Sequence, residues 1–588
     1  MSTTDEPGPA DALPGGDEPP GGRRSGRAAV ARRYGPVAAA VALVVGAVAV
    51  FGGGGEGGGE NAAPGDGGVP SEDELIQSGP MTPAKAKLLG ETVQFGPSCD
   101  TGTGRIKVPI VLVPPCVEPF TGDNGGATGP GVTGDEIRII YYQTDPVNDP
   151  LAAATLRNTG AEVDAASARE TAAAYVTLYN KVFETYGRTV VVETFTGSGA
   201  SDDRDAARAD AVAIAEKEPF AVIGGPIQAT EVFGPAIAAE RIVCGPGCSG
   251  APPEATIEEY APYLWPVGPT PEQAAALVAE MVGKLAGPGK ATMAGDPALH
   301  DRDRRYALVH YDTPDGDQRP AFEAMRDELS GRGVELTTDV EYALDLARMQ
   351  ENARTTIAKL ADAGITTVIF YGDPLTPAAL TIEATAQDYH PEWILGPSVL
   401  ADSTIFARGT DGEQWKNGFG MTFPAARGAF GTSDAYRIHR WAYGEDPPNS
   451  NADVIEPPIR AMFAGIHMAG PNLTPETFRD ALFRSPVGGG RPTVPQVSVG
   501  EHGVWPDLDW GGVDDMGIVW WDPTAVGEDE VGNPGTGMYR YANGGARYTI
   551  GHLPDTPEEA GLFDVQRSVT VYQEIPAGDR APDYPPPP

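Results

Sequence analysis

The stretch from Phe220 to Ser249 restricts the fold more than any other part of the chain. Phe220 to Ile223 is a short apolar run that Gly224, Gly225 and Pro226 stop, Ala229 to Glu240 reads as a helix, and Arg241 to Cys244 opens a second run. This order predicts a strand, a helix and a parallel strand. Parallel strands are covered on both faces, so they need continuous apolar runs instead of alternating ones. The glycines allow a sharp turn and leave peptide N–H groups at the helix N-terminus, where ligands of open α/β sheets collect. An ordinary βαβ unit with an unoccupied loop shows the same pattern, so the stretch points to an architecture and not to an activity.

The same alternation extends in both directions. Upstream, Glu136 to Gln143 reads as a strand, Ala172 to Tyr186 keeps one apolar stripe at helical spacing, Thr189 to Phe195 is a strand and Arg204 to Glu218 a helix. Downstream, Thr270-Pro271-Glu272-Gln273 has the pattern of a capping box, with threonine at the N-cap, proline at the first position and glutamine at the third. A second series follows, with strands at 306–311, 335–342, 367–371 and 393–395 separated by helices at 320–329, 352–363 and 377–389. Gly418 to Phe423 is a further strand, and three helices lie between 433 and 483. Met516 to Trp521 is a strand, and the β-type runs on either side of Asn543-Gly544-Gly545 predict a hairpin with its turn there. Two series of this kind in 588 residues exceed one compact core and predict an α/β protein of two doubly wound parallel-sheet lobes.

Ahead of the lobes, residues 1–34 are rich in Pro, Gly and Asp and read as a disordered cytoplasmic segment. Residues 35–55 carry no charge, and at about 1.5 Å per residue they reach across a hydrocarbon layer of about 30 Å. The arginines before them, Arg23, Arg24, Arg27, Arg32 and Arg33, favour the cytoplasmic side, which predicts a single-pass membrane anchor with the large domain outside the cell. A cleaved signal peptide, with Ala47-Val48-Ala49 as its small-residue site, is the alternative and would leave a secreted protein. Residues 56–130 are a Gly-rich linker and a preface containing Cys99 and Cys116. With Cys244 and Cys248 the chain has four cysteines, an even number that suggests two disulfides in an extracytoplasmic setting. Three connectivities are open, and the sequence-local pairs are the favoured one.

Against 42 Lys and Arg stand 82 Asp and Glu, a formal charge of −40. Such a surface repels phosphate, which makes nucleic acid and anionic lipid surface poor candidates as partners and favours neutral, zwitterionic or cationic ligands. The same charge also serves simply to keep a protein soluble. Motifs for chemistry are missing: there is no HExxH and no GxSxG, and the histidines show no metal-ligand spacing. Gly287-Pro288-Gly289-Lys290 lacks the Ser or Thr of a phosphate loop, and Asp507, Asp509, Asp514 and Asp515 do not follow EF-hand spacing. The expectation is a binding protein without cofactor or metal, not an enzyme.

Residues from about 131 to 525 resemble the type I periplasmic binding proteins, particularly the branched-chain amino-acid (leucine/isoleucine/valine) substrate-binding family of ABC transporters. The resemblance is carried by Gly131-Val132-Thr133 with Ile137-Arg138-Ile139, by Val222-Ile223-Gly224-Gly225, by Leu308-Val309-His310, by Phe370-Tyr371-Gly372, by Leu395-Gly396-Pro397 and by Gly517-Ile518-Val519-Trp520-Trp521. It implies two lobes joined by three crossovers near 268, 396 and 490, with lobe one at 131–268 and 397–490, lobe two at 269–396 and 491–525, and a hairpin extension and Pro-rich tail at 526–588. It also implies a small polar ligand, an amino acid, amide or related compound, captured between the lobes by hinge closure for delivery to an ABC permease. A membrane-anchored sensor or adaptor with the same fold is the alternative.

Carried over one by one, the ligand contacts would be Gln228, Ala229 and Thr230 after one strand, and Gly247 and Ser249 (with Cys248) after the next. In lobe two they would be Asp315, Tyr371, Asp373 and Ser398. Ser398 stands where the family has the acid that pairs with a ligand ammonium, so Asp373 or Asp315 would have to replace that charge. A turn aspartate is also a common helix cap, and Tyr371 at a strand end is also a core residue.

Overall fold

The computed structural model describes residues 78–144, 165–266, 268–312, 318–396 and 400–586. The expected anchor at 35–55, the segment before it and the linker up to residue 77 lie outside the described residues. Among the described residues no helix is long and apolar enough to cross a membrane.

The preface folds first in chain order. β1 (Cys99–Asp100) and β2 (Arg105–Ile106) form a short antiparallel ladder, closed by the disulfide Cys99–Cys116. Its apolar run is no separate module: Val108, Ile110 and Val113 are buried in the same core as the first lobe. β3 (Glu136–Gln143), β4 (Thr189–Thr196), β5 (Ala221–Ile223) and β6 (Val243–Cys244) make an all-parallel sheet in the order β4-β3-β5-β6. Every residue of β5 and β6 is buried, which explains why their runs are continuous, while β4 on the edge is alternately exposed. Gly131 enters the sheet where a Cβ would fall 2.0 Å from the backbone nitrogen of Phe220, so only glycine allows that approach. Cys244 and Cys248 form the second disulfide, so both pairs are the sequence-local ones.

The larger sheet holds β7 (Tyr306–Tyr311), β8 (Leu336–Tyr342), β9 (Thr367–Tyr371), β10 (Glu392–Leu395), β11 (Phe419–Thr422), β12 (Asp515–Glu528), β13 (Pro534–Tyr541) and β14 (Arg547–Thr549). Its order is β8-β7-β9-β10-β11-β12-β13, parallel as far as β11 and antiparallel beyond, with β14 also on β12. The capping box at Thr270 and Gln273 forms as expected and starts the helix Pro271–Leu285 of this lobe.

Two expectations need correction. The second crossover is not near 396, because β11 pairs between β10 and β12 and therefore keeps residues up to Thr422 in the second lobe. The chain crosses back at 423–433, and the helices Asp434–Tyr443, Ala452–Ala469 and Pro475–Phe483 then pack on the core of the first lobe. The third crossing runs from 484 to 514, and the first from 265 to 270. The second correction concerns Asn543-Gly544-Gly545. All three residues have positive φ, yet β13 before them and β14 after them both run antiparallel to β12, so the chain loops out and resumes its direction. The reversal lies between Glu528 and Pro534, where β12 turns into β13.

The tail runs from the second lobe's core along the second and third crossovers. Leu553, Ala560 and Leu562 are buried in the second lobe's core, Tyr572 bridges to Gly428 on the second crossover, and Thr493 on the third donates from its backbone N–H to Asp579 at 3.0 Å. The tail ends with the Tyr584 hydroxyl donating to Asp100 of the preface at 3.0 Å.

Candidate functional site

At the carboxyl end of the first sheet, Gly224 has φ +69°, and a Cβ there would meet the Tyr142 carbonyl at 2.6 Å. The turn it permits runs past the 247–250 loop: a Cβ at Gly225 would meet the Cys248 and Gly247 carbonyls at 2.9 and 3.1 Å, and the Thr230 hydroxyl packs against Gly250. The polar groups expected to face a ligand here are already engaged. The N–H groups of Gln228 and Ala229 donate to the Ser201 carbonyl at 3.2 and 2.9 Å, and the buried Ser249 hydroxyl donates to the Trp265 carbonyl at 2.6 Å.

In the second lobe, Asp373 lies just before the helix Thr376–Ala386 and holds its first turn. One carboxylate oxygen accepts the N–H groups of Leu375 and Thr376 at 2.8 and 2.9 Å; the other accepts the hydroxyls of Thr376 and Tyr342, both at 2.6 Å. Tyr371 packs edge-on against Phe322, their ring centres 5.1 Å apart. Gly247 adopts φ +81° within its loop. Asp315 and Ser398 lie outside the described residues. The lobes approach each other here, since Gln318 donates to the Ala251 carbonyl at 3.4 Å. Tyr311 at the end of β7 is pushed up to about 12 by burial and then by the carboxylates of Glu231, in the first lobe, and Asp373.

A cavity of about 520 Å³ opens elsewhere between the lobes, at the second and third crossovers. None of the expected ligand contacts among the described residues lines it. Its second-lobe wall comes from Leu400, Asp402 and Ser403 after β10, from Thr422 at the end of β11, and from Asp529 and Glu530 in the β12–β13 turn. Asp434, Asp453, Glu456 and Arg460, from helices packed on the first lobe, form the opposite wall. Val111 and Leu112 of the preface and Ile575 and Asp579 of the tail complete it.

The buried charges on these walls are mostly balanced locally. Glu456 and Arg460, one helical turn apart, form an ion pair at 2.7 Å; Tyr179 also donates to Glu456, and Arg460 donates to the Leu112 carbonyl at 3.3 Å. Glu530 accepts the N–H groups of Thr404 and Ile405, both at 2.9 Å, and pairs with Arg427 at 3.3 Å. Asp402 accepts a hydrogen bond from Thr422, and Asp453 one from Ser433. Burial pushes Asp402 up to about 7 and Asp453 up to about 6, because an ionised carboxylate loses hydration there. Sequence reasoning passed over both. Asp453 sits in the first turn of a helix, where an acid ordinarily complements the helix dipole, and nothing local distinguishes Asp402. Among the described residues no group of three or more His, Cys, Asp or Glu is placed to hold a metal ion.

No described protein family and no curated protein matches the chain in sequence. In structure it is similar to the solute-binding protein of an ABC transporter from Rhodopseudomonas palustris, solved with p-hydroxybenzoic acid, at 12% identity over 72% of this chain and 98% of that one, with a TM-score of 0.47. It is also similar to the branched-chain amino-acid transporter substrate-binding protein LivJ from Streptococcus pneumoniae, solved with isoleucine, at 12% identity over 69% of this chain and 100% of that one, with a TM-score of 0.43. An ABC-transporter substrate-binding protein from Desulfitobacterium hafniense, solved with Leu, shows 11% identity over 71% of this chain and 100% of that one, with a TM-score of 0.41.

Proposed function

We propose that this chain is an extracytoplasmic solute-binding protein that holds a small polar molecule between two α/β lobes and changes their angle about three crossovers. The observation that carries this reading is the cavity of about 520 Å³ walled by both lobes at the crossovers. Its volume lies in the range of small-molecule sites, about 300–1,000 Å³, and it combines apolar walls with a few polar groups. A ligand held there touches both lobes, so it favours the angle at which both walls reach it. Two disulfides fit an oxidising compartment outside the cytoplasm. Delivery of the ligand to an ABC permease is the role we assign to the closed form.

The test is a solute screen on the full chain, reading melting temperature together with the radius of gyration from solution scattering. Amino acids, aromatic acids, amides and amines form the panel. A bound solute raises the melting temperature and compacts the molecule. If no solute does either, the protein is not a solute receptor.

A further inference from the structure

We propose that the crossover cavity takes a small organic cation, an amine or guanidinium compound with an apolar body, held between Asp402 of the second lobe and Asp453 of the first. The inference rests on the solute-binding reading and adds the charge class of the solute.

The argument is a pairing of the charges on the cavity wall. Each arginine there is committed: Arg427 to Glu530 at 3.3 Å, Arg437 to Asp434 at 3.6 Å and Arg460 to Glu456 at 2.7 Å. The other acids have cations as well, Asp529 pairing with Arg408 at 3.4 Å and Asp579 with Arg491 at 3.8 Å. Asp402 and Asp453 remain. Each is held by one hydroxyl, from Thr422 and Ser433, and among the described residues neither has an ion-pair partner. A carboxylate removed from water without a counter-charge is costly, and a cation entering the cavity supplies that charge. An anion would meet these two carboxylates with no uncommitted arginine to receive it.

The position of the two groups matters as much as their sign. Thr422 ends β11 in the second lobe, whereas Asp453 is in the first turn of the helix Ala452–Ala469, which packs on the first lobe. A cation between them ties one lobe to the other across the second crossover. Leu400, Ile405, Phe430, Val454 and Ile575 give the cavity apolar surface for the rest of the molecule.

Phenethylamine, cadaverine and agmatine are tested on the full chain by thermal shift and calorimetry, beside the neutral 2-phenylethanol and the anionic phenylacetate. At least one amine should raise the melting temperature, with phenylacetate inert. Its affinity should fall at least tenfold in Asp402→Asn and in Asp453→Asn; urea midpoints of both variants establish that they fold. Unchanged amine affinity in both folded variants, or stabilisation by phenylacetate equal to that by the amines, overturns the proposal. If another neutral or anionic solute compacts the chain while no amine binds, the solute-binding reading stands and the cation assignment falls. If no solute of any class binds, both fall.

Discussion

Gln273 joins two crossovers through one side chain. Its amide nitrogen donates to Asp509 on the third crossover at 2.7 Å, and its carbonyl accepts the backbone N–H of Thr270 at 2.9 Å, closing the capping box at the end of the first. The pair is buried, Gln273 at 6% exposure and Asp509 at 3%. Burial, and then the neighbouring Asp514 carboxylate, raise Asp509 well above the ordinary carboxyl range.

Replacing Gln273 by alanine removes both bonds and leaves Asp509 short of a donor. The expected loss of stability is about 1–3 kcal/mol, the cost of orphaning a buried polar group. Urea denaturation of the ligand-free protein measures it, and an unchanged midpoint would show that the two crossovers are not coupled through this residue.

Asp373→Ala removes the acceptor of the Leu375 and Thr376 N–H groups, where the helix Thr376–Ala386 begins, and of the Tyr342 hydroxyl. Stability should fall by about 0.5–2 kcal/mol, as for N-cap losses. Ligand affinity measured by calorimetry should stay the same, because Asp373 does not line the crossover cavity. A weakened affinity with an unchanged melting temperature would return the site to the strand ends.

The raised carboxyls set a pH dependence. Asp402 is pushed up to about 7 and Asp453 to about 6 from an ordinary 3.8, and Asp514 beside Asp509 is raised as well, with burial the first cause in each. The folded chain therefore keeps these protons to higher pH than the unfolded chain. Their contribution is complete below about pH 4 and is lost as pH rises towards 7, each tenfold difference in proton affinity between the two states being worth about 1.4 kcal/mol. The difference in urea midpoint between wild type and Asp402→Asn should change between pH 4.5 and 7.5, the variant gaining on the wild type at the higher pH. A constant difference would refute the buried state of Asp402.

Glu456→Gln leaves Arg460 buried at 5% exposure without its counter-charge. A loss of about 3–5 kcal/mol is expected, and the double replacement Glu456→Leu with Arg460→Met should cost less than the single one, since no charge is then stranded. Calorimetric unfolding of the two variants decides the order.

Reduction of Cys99–Cys116, whose partners are separated by 17 positions, should cost about 3 kcal/mol by chain entropy. Melting of a Cys99→Ser, Cys116→Ser variant tests this, and an equal midpoint would mean that the packing of Ile110 and Val113 in the first lobe's core already orders the preface.

Most strands and helices were legible because their signals are local. The run Thr367–Tyr371 is apolar along its length because both faces of a central parallel strand are covered, and Thr270 and Gln273 announce a helix start within four residues. Phe419–Thr422 was equally legible as a strand, but not as a member of the second sheet. A short apolar run carries the same letters whichever neighbour it pairs with, and the position of the second crossover follows from that pairing alone. The three residues at Asn543 show the same limit: positive φ predicts a turn, and the ladder on β12 decides that the chain resumes its direction afterwards.

Order along the chain was thus enough to predict parallel α/β sheets and the capped helix start at Thr270, since periodicity and capping act over a few residues; it favoured the sequence-local disulfides while leaving three connectivities open, and the fold selects the local pairs. The crossover cavity needed the folded molecule. Asp402 and Asp453 each look ordinary beside their neighbours in the chain, and what distinguishes them is that folding buries Asp402 and half-buries Asp453 on the walls of one cavity while every arginine around them is already paired. Burial and the absence of a counter-charge are properties of three-dimensional surroundings, so no reading of consecutive residues contains them.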